Sequence, residues 1–175
     1  GIGVIPGWGG CARLPRLIGA QAAVAHMLKA ALVPAAAALK AGLVDEVVPV
    51  AELKTRAKAV ALRLSAEGLP NRAVPAAAPA DFFASQRQTA RTRMRGQPAP
   101  LAMLDAVEQG AALSVAAALD LEANFFGAVA AGEVAKNLIH VFNLRESGKK
   151  LSLDAWFPTE PATGQTEKFQ IVGIV

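Results

Sequence analysis

Gly3-Val-Ile-Pro-Gly-Trp-Gly-Gly-Cys-Ala-Arg-Leu-Pro-Arg-Leu-Ile-Gly19 runs from a short apolar stub through a Gly-rich turn into an apolar segment. Pro fixes φ and Gly permits positive φ, so Pro6 to Gly10 form a tight turn with an exposed backbone. The turn feeds a helix expected over about Trp8 to Leu17 and closed by Gly19, and an Ala-rich helix follows over Ala20 to Ala31. Backbone N–H groups in such a turn can hold an oxyanion, a phosphate or a water, because several donors and the helix dipole converge there. A purely structural turn accounts for the same residues. Two nucleotide motifs are excluded: no Lys-Ser/Thr follows, as a P-loop requires, and Gly1-x-Gly3 lacks the third Gly of a dinucleotide fingerprint.

Outward from this stretch, Pro34 opens a helix over Ala35 to Ala41 that Gly42 stops. Leu43 to Val48 is an apolar strand candidate ended by Pro49. Val50, Leu53, Ala57, Val60 and Leu64 recur at helical spacing and predict an amphipathic helix ending near Gly68. Leu69 to Ala80 is a Pro/Ala-rich connector. Four helices are expected beyond it, over Asp81 to Arg95, Pro98 to Gln109, Leu113 to Ala130 and Glu133 to Glu146. Leu121, Phe125 and Val129 share one face and Val134, Leu138 and Val141 another, and the two faces are expected to pack together. Ser147 to Lys168 reads as a linker and Phe169 to Val175 as a buried strand.

The chain has 175 residues, 53% hydrophobic and 18% charged, with mean hydropathy +0.35, which excludes a wholly disordered polar chain. Roughly a fifth of it is Ala, so much of the apolar character is small and helix-forming. The longest apolar stretch, Ala22 to Leu39, is broken by His26, Lys29 and Pro34, so no membrane span is expected. A net charge of +4 and pI near 9.6 suit an anionic ligand without requiring one. A single Cys excludes an internal disulfide and a Cys-only metal site, and the cytoplasm is the expected compartment. The first ten residues hold five Gly and one Pro with no basic flank, unlike a signal peptide.

Other side chains carry two readings each. Arg87, Arg91 and Arg95, with Arg93 beside them, form either a seat for phosphates or a solvated helix face. His26 and His140 stand alone without metal-ligand neighbours, and no metal site is expected. Cys11 is either a reactive thiol at a helix start or a small buried hydrophobe. Glu122, Glu133 and Glu146 qualify for acid/base work only in a pocket that raises their pKa.

The Gly3 to Gly19 stretch, with Leu39-Lys-Ala-Gly-Leu-Val-Asp-Glu-Val-Val-Pro49 and Glu52-Leu53, resembles the enoyl-CoA hydratase (crotonase) family. That family's pattern is a Gly-x-x-Pro-Gly-x-Gly-Gly-x-x-Arg-Leu loop and helix, then an Ala-rich helix ending in Gly-Leu-Val-Asp. Gly96 to Leu101, Leu121 to Phe126, and Ala135 to Phe142 with Lys149-Lys150 are similar to bifunctional β-oxidation proteins, which fuse a hydratase to a 3-hydroxyacyl-CoA dehydrogenase. The resemblance implies an α/β parent fold, the crotonase ββα superhelix, of which this mostly α-helical chain is the C-terminal half. Residues 1–68 would be the C-terminal part of the crotonase core and 69–146 a helical tail. Residues 147–168 would be a linker and 169–175 the first strand of a truncated Rossmann dehydrogenase domain.

By the same resemblance the complete enzyme hydrates trans-2-enoyl-CoA to 3-hydroxyacyl-CoA, and a fused domain oxidises the product with NAD. Gly7 is the catalytic position, its backbone N–H helping to hold the water, and Pro6, Gly7 and Trp8 line the substrate. The two family Glu residues and a second oxyanion amide would precede Gly1, so the chain alone is expected to be inactive. The substrate is a coenzyme A thioester, NAD belongs only to the dehydrogenase domain, and no metal is implied. Expected partners are the acyl-CoA and either a thiolase subunit or a second copy, not nucleic acid, in a bacterial cytoplasm. Three alternatives remain: an enoyl-CoA isomerase using the same loop, a non-catalytic helical interaction module, and a nucleic-acid binder whose Arg row would give steeply salt-dependent affinity.

Overall fold

The structure, a computed structural model, describes residues 2–70, 75–95 and 97–149. The strand expected at Phe169 to Val175, and all but the first three residues of the expected linker, lie outside them. Eight helices are found among the described residues: α1 (Gly10–Ile18), α2 (Ala20–Lys29), α3 (Ala35–Lys40), α4 (Val50–Glu67), α5 (Phe82–Arg93), α6 (Pro98–Gly110), α7 (Val115–Ala130) and α8 (Glu133–Gly148). The residues that end them are the ones the sequence marks. Pro98 starts α6, where its missing N–H costs no helix bond. Ser114 caps α7, its hydroxyl accepting the Ala117 N–H at 3.2 Å. Gly68 closes α4. After α3 the Leu43 N–H returns five residues to the Ala38 carbonyl, the C-terminal motif expected of the Gly42 stop.

Two expectations need correction. Leu43 to Val48 is not a strand: residues 43–49 are irregular, and no strand exists among the described residues to pair with them. β-branched side chains favour a pleated surface only where a neighbouring strand supplies one, and Val44 and Val47 lie exposed. The second concerns α8. Val134 is exposed, and the inward position is its neighbour Ala135, fully buried, which with Leu138 lies against the backbone of Gly3.

The chain divides into two compact units, Gly1–Ile139 and His140–Val175. In the second, the end of α8 carries an exposed ion pair between Lys149 and Glu146 at 2.5 Å. The core of the first is organised by α6, which packs against α1, α2, α5 and α7. Seven of its residues are buried, most of them small, including Ala99, Ala102, Ala106 and Gly110, so neighbouring helices approach closely. Leu104 and Val107 meet Ile5, Cys11, Val24, Phe83 and Val129 in one apolar cluster. Residues on both sides of position 68 therefore share a core. Arg87 of α5 ties to α6 by donating to Asp105 at 2.7 and 2.9 Å and to Glu108, and these acceptors raise the guanidinium's pKa.

Residues 31–70 are differently placed. They bury only Ala38, and α4 buries nothing. Val60 and Leu64 are half-buried in a shallow groove with Val48, and an exposed pair, the Arg56 Nε–H shared between the two Glu46 carboxylate oxygens at 2.7 and 3.0 Å, holds the approach to α4.

Candidate functional site

The Gly-rich turn keeps its place at the head of a helix, which starts at Gly10, two residues later than expected. Gly9 has φ +89°, a left-handed conformation that non-Gly residues adopt at a cost of about 1–2 kcal/mol. Turn and helix together aim several backbone N–H groups at one point.

That point is occupied by a side chain of this same protein. Glu122, on α7 and only 2% exposed, accepts the Gly9 N–H on one carboxylate oxygen at 2.5 Å. Its other oxygen accepts the Cys11 and Ala12 N–H groups at 2.7 and 3.1 Å. The oxyanion cradle and the candidate acid/base carboxylate are thus one structure. A carboxylate at the positive end of a helix, bonded to otherwise orphaned amides, is the pairing that the helix dipole and its free donors favour. Glu122 is therefore an anchor, with both oxygens engaged. The sequence carried one signal of this: Glu122 interrupts the apolar positions Leu119, Phe126 and Val129 of a core helix.

A reciprocal brace runs the other way. Arg16, at the end of α1, donates to the Gly110 carbonyl that ends α6 and to the Leu113 carbonyl just beyond it, at 2.8 Å each, and to the Ala12 carbonyl of its own helix. Thus α7 caps the start of α1, and α1 caps the end of α6.

The Gly7 N–H, in contrast, has no hydrogen-bond partner among the described residues. Gly7 is half-buried, and a Cβ there would fall 2.5 Å from the ring of Phe126, so the position admits only Gly without a shift of that ring. Pro6 is exposed, and Trp8 beside it is 97% exposed. Pro6, Gly7 and Trp8 therefore form one open rim.

Cys11 is buried beneath this rim, its Sγ 3.9 Å from the Pro6 carbonyl. Burial, and secondarily the Glu122 charge, push its thiol up to about 12, so it is a protonated core residue rather than a nucleophile. The other sequence candidates lie apart from the turn. Glu133 and His140 are exposed, His26 is half-buried, and Glu146 pairs with Lys149. Among the described residues no three His, Cys, Asp or Glu side chains gather as a metal-binding set. The Arg row is divided: Arg87 is engaged by two carboxylates, Arg91 is exposed, and Arg93 and Arg95 border a cleft of about 520 Å³ that also meets Met27, Met94 and Met103. No single helix among the described residues is long and apolar enough to cross a membrane.

The comparison with known proteins bears on this turn directly. The family model described as enoyl-CoA hydratase/isomerase matches residues 1–68, the segment that contains the turn, α1 and α2. By this match residues 1–68 are similar to the crotonase family. A peroxisomal fatty acid beta-oxidation multifunctional protein of Arabidopsis thaliana is 34% identical over 149 residues, covering 81% of this chain. The chain spans about a fifth of that protein's length. The mostly helical architecture of the described residues is consistent with a partial crotonase domain. The likeness to the plant protein extends beyond the crotonase segment, since 149 aligned residues exceed the 68 of the family match.

Proposed function

We propose that this chain supplies the Gly-rich turn and supporting helical tail of an enoyl-CoA hydratase within a multifunctional fatty-acid β-oxidation enzyme. One observation carries the reading. Glu122 engages the Gly9, Cys11 and Ala12 amides of the turn and leaves the Gly7 amide unpaired at an open rim.

In this reading the Gly7 N–H donates a hydrogen bond to the oxygen of the attacking water and orients it, while Pro6 and Trp8 form the adjacent wall for the substrate. Water adds its oxygen to C3 of the trans-2-enoyl thioester and a proton is delivered to C2 on the same face, the charge developing on the thioester oxygen in between. The acid/base carboxylates come from elsewhere in the enzyme. Residues 1–44 contain no Asp or Glu, and Glu122 has both oxygens engaged. Oxidation of the 3-hydroxyacyl product by NAD in a fused domain, and association with a thiolase subunit or a second copy, follow from the same reading. We keep the bacterial cytoplasm as the proposed compartment on the strength of the single buried Cys; the plant relative is peroxisomal by name.

The test is an assay of the gene product that joins these residues to a complete hydratase domain, following loss of the conjugated thioester absorbance of crotonyl-CoA. Hydration abolished by replacing the Gly7 peptide with an ester supports the reading. Turnover of a 3-enoyl-CoA without hydration of the 2-enoyl isomer would replace it by the isomerase alternative.

A further inference from the structure

We propose that Glu122 is a positioning residue for the Gly7 amide, so that α7 is a working part of the active site although it lies outside residues 1–68. The proposal rests on the hydratase reading. Leu119, Glu122 and Phe126 are spaced three and four residues apart and therefore share one face of α7. Each meets a different part of the turn. A Leu119 methyl carbon lies 3.0 Å from where a Cβ on Gly9 would be, and the Phe126 ring lies 2.5 Å from where one on Gly7 would be. Between these two contacts Glu122 holds the Gly9, Cys11 and Ala12 amides on its two oxygens.

The turn is thus shaped from outside, like a cast against a mould. Gly9 is fixed by hydrogen bonds two residues from Gly7, and Gly7 is stopped from collapsing inward by an aromatic ring. The Glu122 charge also occupies the cluster of converging amides, so the Gly7 N–H, one of those Glu122 leaves unpaired, faces a neutral water rather than a free anion. A reacting group displaced by about 1 Å can lose on the order of 100-fold in rate, so a clamp of this kind acts on turnover more than on affinity.

The test pairs two measurements on Glu122→Ala and Glu122→Gln. In the gene product with the complete hydratase domain, Glu122→Ala is expected to lower kcat for crotonyl-CoA by roughly 10- to 100-fold with KM changed less than about twofold, and Glu122→Gln, which keeps one acceptor oxygen, to fall less. In the 175-residue chain, Cys11 is the reporter. Compared at matched thiolate fraction, so that loss of the Glu122 charge does not count, Glu122→Ala is expected to raise its rate of modification by a thiol reagent at least about tenfold, because the turn above it loosens. Unchanged kcat per folded molecule, or a loss confined to KM, overturns the proposal. Absence of hydration by the unaltered protein overturns the hydratase reading instead, and the Cys11 rates then decide alone whether Glu122 positions the turn. Should Glu122→Ala not fold, Glu122→Gln is read in the same way.

Discussion

The turn at Gly7 to Ala12 and the helix α4 lie in the same 68-residue segment that matches the enoyl-CoA hydratase/isomerase model, yet they reach opposite environments. The turn is enclosed by α7, its amides on a buried carboxylate and its Gly7 and Gly9 against side chains more than 100 residues away. α4 is the longest helix among the described residues and buries none of them. Its Val50 is 90% exposed and its Leu62 63% exposed. Local sequence decided both conformations, Pro and Gly for the turn and apolar periodicity for α4, but burial depends on a partner at long range, which neither signal names.

The contrast should be largest in stability. Glu122→Ala strands three buried N–H groups, each costing on the order of 1 kcal/mol or more, so a loss of about 3 kcal/mol is expected in urea unfolding. Comparable losses from Leu62→Ser would break the contrast, since an exposed position should change stability by less than about 0.5 kcal/mol.

Overpacking gives the next largest effect. Gly7→Ala forces a methyl group toward the Phe126 ring and is expected to cost about 1–3 kcal/mol. Phe126→Leu should relieve part of this. A double-mutant cycle with no coupling between the two positions would mean that α7 does not shape the turn.

A pH effect follows from Cys11. Below about pH 8.5 the thiol is protonated in both folded and unfolded chains. Above it the unfolded thiol ionises while the buried one stays protonated toward about 12, so the unfolded state binds fewer protons. Stability should therefore fall as pH rises from about 8.5, by up to about 1.4 kcal/mol per unit. The chain has no Tyr to titrate nearby, and Cys11→Ala should remove this slope. Equal slopes in the two proteins would place the thiol in water. The smallest effect belongs to α4: Arg56→Ala breaks only an exposed pair, and a change of about 0.2–1 kcal/mol is expected, declining with added salt.

The sequence located what is local. Pro49 and Gly68 bound α4 as the spacing of Val50 to Leu64 required, and Pro6 to Gly10 formed the expected turn. It also placed the crotonase motif. What it left open were pairings across the chain: that Glu122 closes on Gly9, that Arg16 reaches Gly110, and that Ala135 rather than Val134 turns inward. Leu43 to Val48 failed as a strand for the same reason, since a strand is a relation between two segments. The one clue within reach was an acidic residue inside the apolar face of α7. It flagged a buried charge without naming the amides that hold it.

The brace between Glu122 and the turn also has a history in time. Its partners are separated by 113 residues, and at about 5–20 residues per second a ribosome needs roughly 6–23 s to make that span. During that interval the Gly-rich turn exists in the nascent chain without the side chain that fixes it. The Gly-rich segment is thus made early and shaped late, and Gly9, Cys11 and Ala12 keep their amides in water until α7 emerges to claim them.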